Sequence, residues 1–582
     1  MQPSLLVHSL SRSNNRPKLG EKHNIFFQSF LIFFFAFLAF IAQPHSVLTY
    51  TLSKTLVLSS GGDPKSFNEV MAQETSTTQI TSLLFEGLTH FNTETGEVEG
   101  RLAEKWESSG DGLIWTFYLR HNVEWFDGVP FTGRDVLFTF QSLIFNPAIP
   151  AAARDIFTLG GKPILVEALD DHTVRFKLPS PFAPFLLALT QSIFPEHILK
   201  KAVEEGRFTS TWGVNSNPTE IIGTGPFKLA TYRPGEKIEL VKNDHYWQKD
   251  ESGRRLPYLE RVIFLILPNG DGPLLKFLEG ETDFYGMSGK DYPLLKPLAK
   301  EKNFSIFEAG AGNGSNFLVF NQNSKDPVRR AWFQNKNFRR AVAHALDRGS
   351  MIDIVFNRLG VSQCSPLSPS IPFFFNQKVP CYEYDPEKAK SLLAQEGFRD
   401  KDGDGFLEDA RGNKVEFVMI SNAESSERLE MAGMLREDLA RLGVKVNLLP
   451  MEFNTIVTKL VSTHDWDVAL LGLTGEIDPH FGANVWRSGG SLHFWNAGAA
   501  KVPSDWEKRV DEIFDGAGKS LDRLERKRLY DEWQKIIAEE LPLVYTVLPK
   551  MIYAVRDRFK NLRPTVLGGP FHNIERIDTK KS

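Results

Sequence analysis

Residues Val415–Leu473 read VEFVMISNAESSERLEMAGMLREDLARLGVKVNLLPMEFNTIVTKLVSTHDWDVALLGL, and their rhythm decides the fold. Val415–Ile420 is a strand. Met431, Leu435, Leu439 and Leu442 then recur at helical spacing, and the helix stops at Gly443. Val444, Val446 and Leu448 alternate as a second strand. Asn454–Val461 reads as helix, and Asp467–Leu473 as a third strand with Val468–Leu471 apolar. Strand, helix, strand, helix, strand in this order implies crossover units on a mostly parallel sheet.

Outward from that stretch, the α/β pattern continues. Phe317–Phe320 is a strand, and Phe338, Ala341, Val342, Ala345 and Leu346 share one helix face. Asp385 and Pro386 open a helix that Gly397 closes. Trp506–Leu541 is helical with a break near Gly516–Gly518, and Leu543–Leu548 is a late strand. Towards the N-terminus the elements are shorter. Strands are expected at Leu52–Ser59, Leu113–Arg120, Val123–Trp125, Thr173–Leu178, Phe227–Tyr232 and Val262–Leu267. Helices are expected at Thr75–Leu88 and Thr132–Phe145.

The chain has 582 residues, about four domains' worth of mass. Apolar residues are 42% and charged residues 24%, which excludes a disordered tail protein, a collagen and a polytopic membrane protein. The net charge of -4 supplies no basic excess for nucleic acid or an anionic membrane. Two cysteines exclude a disulfide-rich scaffold and a four-cysteine zinc site.

Ile25–Ala42 is an apolar run broken only by Gln28 and Ser29, with Arg16, Lys18 and Lys22 before it. This is the pattern of an export signal, and residues 1–47 read as a cleaved signal or, alternatively, an N-terminal membrane anchor. No cysteine follows closely enough to carry a lipid, so export to a periplasm is expected. In an oxidising compartment Cys364 and Cys381, across a proline-rich loop, read as a disulfide, the alternative being two separate thiols.

Catalytic and cofactor motifs do not stand out. Gly518-Lys519-Ser520 lacks the leading glycine of a phosphate loop, and Gly310-Ala-Gly-Asn-Gly314 lies between strands. Asp400, Asp402 and Asp404, followed by Gly405, match the start of a calcium loop. Position 12 of that loop is Arg411 and a strand follows, so a polar hairpin turn is the preferred reading and a calcium site the lesser one. No cofactor is expected, and no enzymatic activity.

Spaced blocks over about Leu52–Leu562 resemble the family 5 extracellular solute-binding proteins of bacterial ABC importers. They are Gly62-Asp-Pro-Lys-Ser-Phe-Asn68, Phe85-Glu-Gly-Leu88, Leu102-Ala-Glu-Lys-Trp106, Trp125-Phe-Asp-Gly128, Gly223-Thr-Gly-Pro-Phe227, Asn243-Asp-His-Tyr-Trp247 and Phe338-Arg-Arg-Ala-Val342. The resemblance implies an α/β, two-lobed, periplasmic-binding-protein-like (class II) fold with an extra domain inserted in the first lobe. Residues 48–89, 222–309 and 531–582 would form the first lobe, 90–221 the inserted domain and 310–530 the second lobe. It further implies a monomer that captures a short peptide or similar solute between closing lobes and hands it to an ABC permease in the inner membrane. A metal chelate, haem or oligosaccharide is the alternative ligand, and a secreted hydrolase the alternative of another class.

In open parallel sheets, ligands sit beyond the C-terminal ends of strands. Asp467–Leu473 ends at Thr474-Gly475-Glu476, with Asp478 just beyond, which puts backbone amides and two carboxylates at a strand mouth. Peptide binders of the family carry an acid here that pairs with the ligand's α-ammonium, and Glu476 is its counterpart. Leu473 replaces the family's usual tryptophan. Asn316, Asn321, Trp495 and Phe67 are further candidates for lining the ligand cleft.

Overall fold

The strand that leads to Glu476, Val468–Leu473, lies in the middle of a five-stranded sheet. Its order is Lys445–Met451, Glu416–Asn422, Val468–Leu473, Ser315–Phe320, Leu543–Tyr545. These coordinates are a computed structural model that describes residues 54–72, 74–268, 270–496 and 503–580. The first three strands are parallel, and Ser315–Phe320 runs antiparallel to both its neighbours. The sheet is therefore mixed: the crossover rhythm governs only 416–473, and Ser315–Phe320 enters without a crossover helix.

Side chains alternate between the two faces of this sheet, as a period of two requires. Leu318, Phe320, Phe417, Met419, Val468 and Leu470 pack beneath the helices Lys336–Ala345 and Ser426–Arg441. Phe317, Val319, Ile420, Ala469 and Leu471 pack on the opposite face against Asp505–Lys519 and Arg523–Glu540. Helix Ser426–Arg441 is capped by Ser425, whose side chain accepts from Arg428 N, and it buries Met431, Leu435 and Leu439. Each such side chain contributes roughly 1.5–3 kcal/mol of burial. The turn at Gly443, with φ +82°, ends it.

Three four-stranded sheets and three two-stranded ones make up the rest of the strand structure among the described residues. Thr55–Ser60, Arg261–Ile266, Lys237–Lys242 and Phe227–Arg233 lie in that order, the first pair parallel and the rest antiparallel. Ala103–Ser108, Ile114–Leu119, Thr173–Lys177 and Leu165–Asp170 form an antiparallel sheet. Its core is aromatic, with Phe117, Phe140, Phe157, Phe176 and Phe185 meeting edge to face. In the third, Val547–Arg556 pairs antiparallel with Phe284–Met287, Phe304–Ala311 and Gly360–Ser362.

Several elements differ from their sequence reading. Thr132–Phe145 begins as an α-helix, Gly133–Phe138, and continues as a wider π turn over Thr139–Ile144. Val123–Trp125 is one arm of a tight hairpin rather than a full strand: Glu124 forms an isolated antiparallel bridge with Pro130, and Trp125 N donates to Val129 O. The helical break falls at 520–522, because Gly516 and Gly518 stay helical and make room for Leu529 and His480. Leu543–Leu548 is two strands in two sheets, separated at the buried Thr546, whose N–H donates to Asn316 O. A lobe boundary at residue 531 would cut helix Arg523–Glu540, and Leu543–Tyr545 pairs with Phe317–Val319. Residues up to 545 thus belong with the sheet of the 310–530 segment, not with 48–89.

Cys364 and Cys381 are bonded, their Cα atoms 5.2 Å apart. The export signal or anchor read over 1–47 lies outside the described residues. Among the described residues no helix is long and apolar enough to cross a membrane.

Candidate functional site

Because Val468–Leu473 and Ser315–Phe320 are antiparallel, the end of one meets the start of the other: Leu473 pairs with Ser315 and Gly472 with Asn316. The chain then passes through Thr474-Gly475-Glu476 directly against Asn313-Gly314. A Cβ on Gly475 would stand 1.3 Å from Asn313 O, so only glycine lets the two backbones approach this closely. The loops enclose a cavity of about 190 Å³. Its polar wall is Asn313, Ser315, Ser368 and Glu476, and its apolar floor includes Trp486 and Tyr545.

The loop between the bonded cysteines reaches this cavity. Pro366, Leu367, Ser368 and Ile371 all line it. Ser368 Oγ donates to Gly312 O at 2.7 Å, and Ser370 Oγ to Asn313 Oδ1 at 3.3 Å. The disulfide thus shortens the free length of a segment that forms one wall.

Phe481 and Asn484 border both this cavity and a larger groove of about 850 Å³. The groove runs between two separate parts of the chain, with Ile156, Leu159 and Phe182 on one side and Arg487, Asp515 and Lys519 on the other. Those parts touch at its edge. Ala183 N donates to Gly518 O at 2.7 Å, and Phe182 meets the His480 ring edge-on at 5.7 Å.

Two charged groups flank the strand mouth. Partial burial, and then the negative charge of Asp478, push the Glu476 carboxyl above the usual carboxylate range. On the other flank Arg428 Nε donates to Asn316 Oδ1 at 3.2 Å and Nη1 to Asn422 Oδ1 at 2.5 Å. Burial lowers its pKa, and its direct partners are amide oxygens rather than carboxylates. Arg428 Nη2 is the atom that a Cβ on Gly472 would meet, at 2.6 Å.

Of the residues singled out from the sequence, Thr474, Gly475 and Glu476 come together at the cavity. The others do not. Asp478 is buried, and Arg526 Nη2 lies 2.7 and 2.8 Å from its two oxygens, so its charge is already matched. Asn316 is beside the site, but its amide is committed: Nδ2 donates to Val547 O and Oδ1 accepts from Arg428. Asn321 lies at the far end of its strand, where Nδ2 donates to Trp466 O at 2.8 Å. Trp495 is a core residue whose Nε1 donates to Glu507 at 3.3 Å. Phe67 is buried in another core, edge-on to Tyr232 at 5.6 Å. Asp400, Asp402 and Asp404 sit on a separate hairpin.

The cavity residues missed are Asn313, Ser368 and Trp486. For Ser368 a signal existed in the proline-rich loop between the cysteines. For Trp486 there was none, since nothing local separates it from other buried tryptophans.

Comparison with known proteins places this geometry. The model for bacterial extracellular solute-binding proteins, family 5 (middle region), matches residues 97–492. A probable ABC transporter-binding protein of Deinococcus radiodurans is 28% identical, over 85% of this chain and 87% of that one. The dipeptide-binding protein of Escherichia coli K12 is 28% identical, over 90% and 94%. The oligopeptide-binding protein AppA of Bacillus subtilis, solved in complex with a nonapeptide, superposes with a TM-score of 0.70 at 25% identity, covering 90% of this chain and 99% of that one. The chain belongs to the family 5 bacterial extracellular solute-binding proteins, and its fold is their two-lobed one.

Proposed function

We propose that this protein captures short peptides between its two lobes and delivers them unchanged to an ABC permease in the inner membrane, working as a monomer in the periplasm. The observation that carries the reading is the Glu476 carboxyl, which lines the cavity beyond a strand end with no ion pair answering it among the described residues, and so is placed to receive an α-ammonium. A peptide presents that group at its amino terminus. The apolar floor and the wider groove beyond Phe481 leave room for side chains. Oriented, water-excluded charge pairs supply register more than raw affinity.

One lobe would comprise residues 54–89, 222–309 and the chain from 547 on, with 90–221 inserted in it. The other would comprise 312–546. A ligand that touches both favours the closed state by the difference in its affinity for the two states. Native mass spectrometry of the purified protein, followed by calorimetry with di- to nonapeptides, tests the proposal. Peptides should co-purify and bind with free termini. A co-purified haem, metal chelate or oligosaccharide, with no heat from any peptide, would overturn it.

A further inference from the structure

We propose that the hairpin over 399–408 is a calcium site formed by Asp400, Asp402, Asp404 and Glu408. One carboxylate oxygen from each of these four residues lies within 4.8 Å of the others. Oxygens on opposite sides of a calcium ion, each at about 2.3–2.6 Å, are separated by about that distance. The cluster is thus already the size of a calcium coordination sphere.

The deciding residue is Glu408. The sequence frame looks for a bidentate acid at position 12 and finds Arg411. The fold supplies the acid at position 9 instead. Arg399 and Glu408 exchange backbone hydrogen bonds of 2.9 and 2.8 Å, which carries Glu408 back beside Asp400. Glu408 is only 5% exposed, and its Oε1 is buried with no hydrogen-bond partner, while Oε2 accepts from Lys401 N at 2.8 Å. A buried carboxylate oxygen without a donor is costly unless a cation meets it.

The three aspartates are turned towards the same point by the backbone. Asp400 accepts from Gly403 N at 2.7 Å and Gly405 N at 3.0 Å, Asp402 from Asp404 N at 3.1 Å, and Asp404 from Phe406 N at 2.9 Å. Lys414 is the one side-chain cation in contact among the described residues. Its Nζ is 3.4 Å from Asp402 and also pairs with Asp404. It answers one negative charge of four, and its side chain is half-exposed and free to turn outward when an ion enters. Calcium suits the site better than magnesium, because an all-protein set of carboxylates on a hairpin is irregular and magnesium demands near-ideal octahedral geometry.

The test uses EDTA-treated, peptide-free protein, with calorimetry and thermal unfolding in calcium and in magnesium up to about 10 mM, above the range of extracellular calcium modules. Calcium should bind at one site and raise the melting temperature, and magnesium should do so weakly. Asp402→Asn, at an exposed position, and the near-isosteric Glu408→Gln should each raise the calcium Kd at least tenfold, with far-UV circular dichroism unchanged. No heat and no shift with calcium, an equal response to magnesium, or variants that respond like the parent would each overturn the proposal. Because no peptide is present, the result is independent of the function proposed above.

Discussion

Arg526 Nη2 lies 2.7 Å from one carboxylate oxygen of Asp478 and 2.8 Å from the other, with both side chains 8% exposed. Asp478 Oδ1 also accepts from His480 N at 3.0 Å. This pair pins the loop that begins at Glu476. Removing one partner leaves a buried charge unanswered. Asp478→Asn and Arg526→Met are each expected to lower unfolding free energy by about 3–5 kcal/mol, measured by urea denaturation. The double variant should lose less than the sum, since neither charge is then stranded.

Glu476 is two residues away and has the opposite character, since no ion pair answers its charge among the described residues. Glu476→Gln should weaken peptides with a free amino terminus by roughly 1–3 kcal/mol and leave N-acetylated peptides nearly unaffected, as read by calorimetry. Its carboxyl already titrates above the usual range, through burial and the charge of Asp478. Peptide affinity should therefore fall on acidification sooner than a solvated carboxylate would allow. An ammonium partner favours the ionised form, so binding in that pH range should release a proton. Calorimetry in buffers of different ionisation enthalpy detects this.

His480 gives the body a second pH dependence. Burial holds its pKa down to about 4, against the attraction of Asp478 and with the help of Arg526 and Arg487. The folded value lies below the unfolded one of about 6.5, so the unfolded chain takes up the proton first. Stability is then complete above about pH 6.5 and is lost as the pH falls towards about 4, by up to about 3 kcal/mol. His480→Gln should flatten the curve of unfolding free energy across this interval.

Gly475→Ala tests the backbone approach itself. The new methyl would fall 1.3 Å from Asn313 O, so the loop has to move. Peptide affinity should drop at least tenfold, whereas alanine at Gly489, which has open space around its Cβ position, should change nothing.

The sheet around Val468–Leu473 was legible because strand alternation and helix periodicity follow directly from which face is buried. Its mixed character was not, because the partner strand Ser315–Phe320 lies far away in the chain. At the site, Glu476 and Asp478 are the same chemistry two positions apart. Only Arg526, 48 residues further on, makes one structural and leaves the other available. Trp486 and Trp495 were likewise indistinguishable until Glu507 claimed the second. The acidic hairpin shows the same principle in reverse: its fourth carboxylate comes from chain closure, which no linear frame records.

The two strands Phe304–Ala311 and Val547–Arg556, each leading to a strand of the five-stranded sheet, are the rails of one ladder, with Gly312 N also donating to Pro549 O. On its other edge Val547–Arg556 also holds Phe284–Met287 and Gly360–Ser362, so bending across the flat face keeps every rung, whereas sliding one rail past another breaks them. A single irregularity, between Glu308 and Gly310, where Gly310 takes φ +124°, marks the softest point. Under the lobe division proposed above, a swing between the lobes would bend this ladder at Gly310 and leave its register, and so the mutual alignment of the lobes, unchanged.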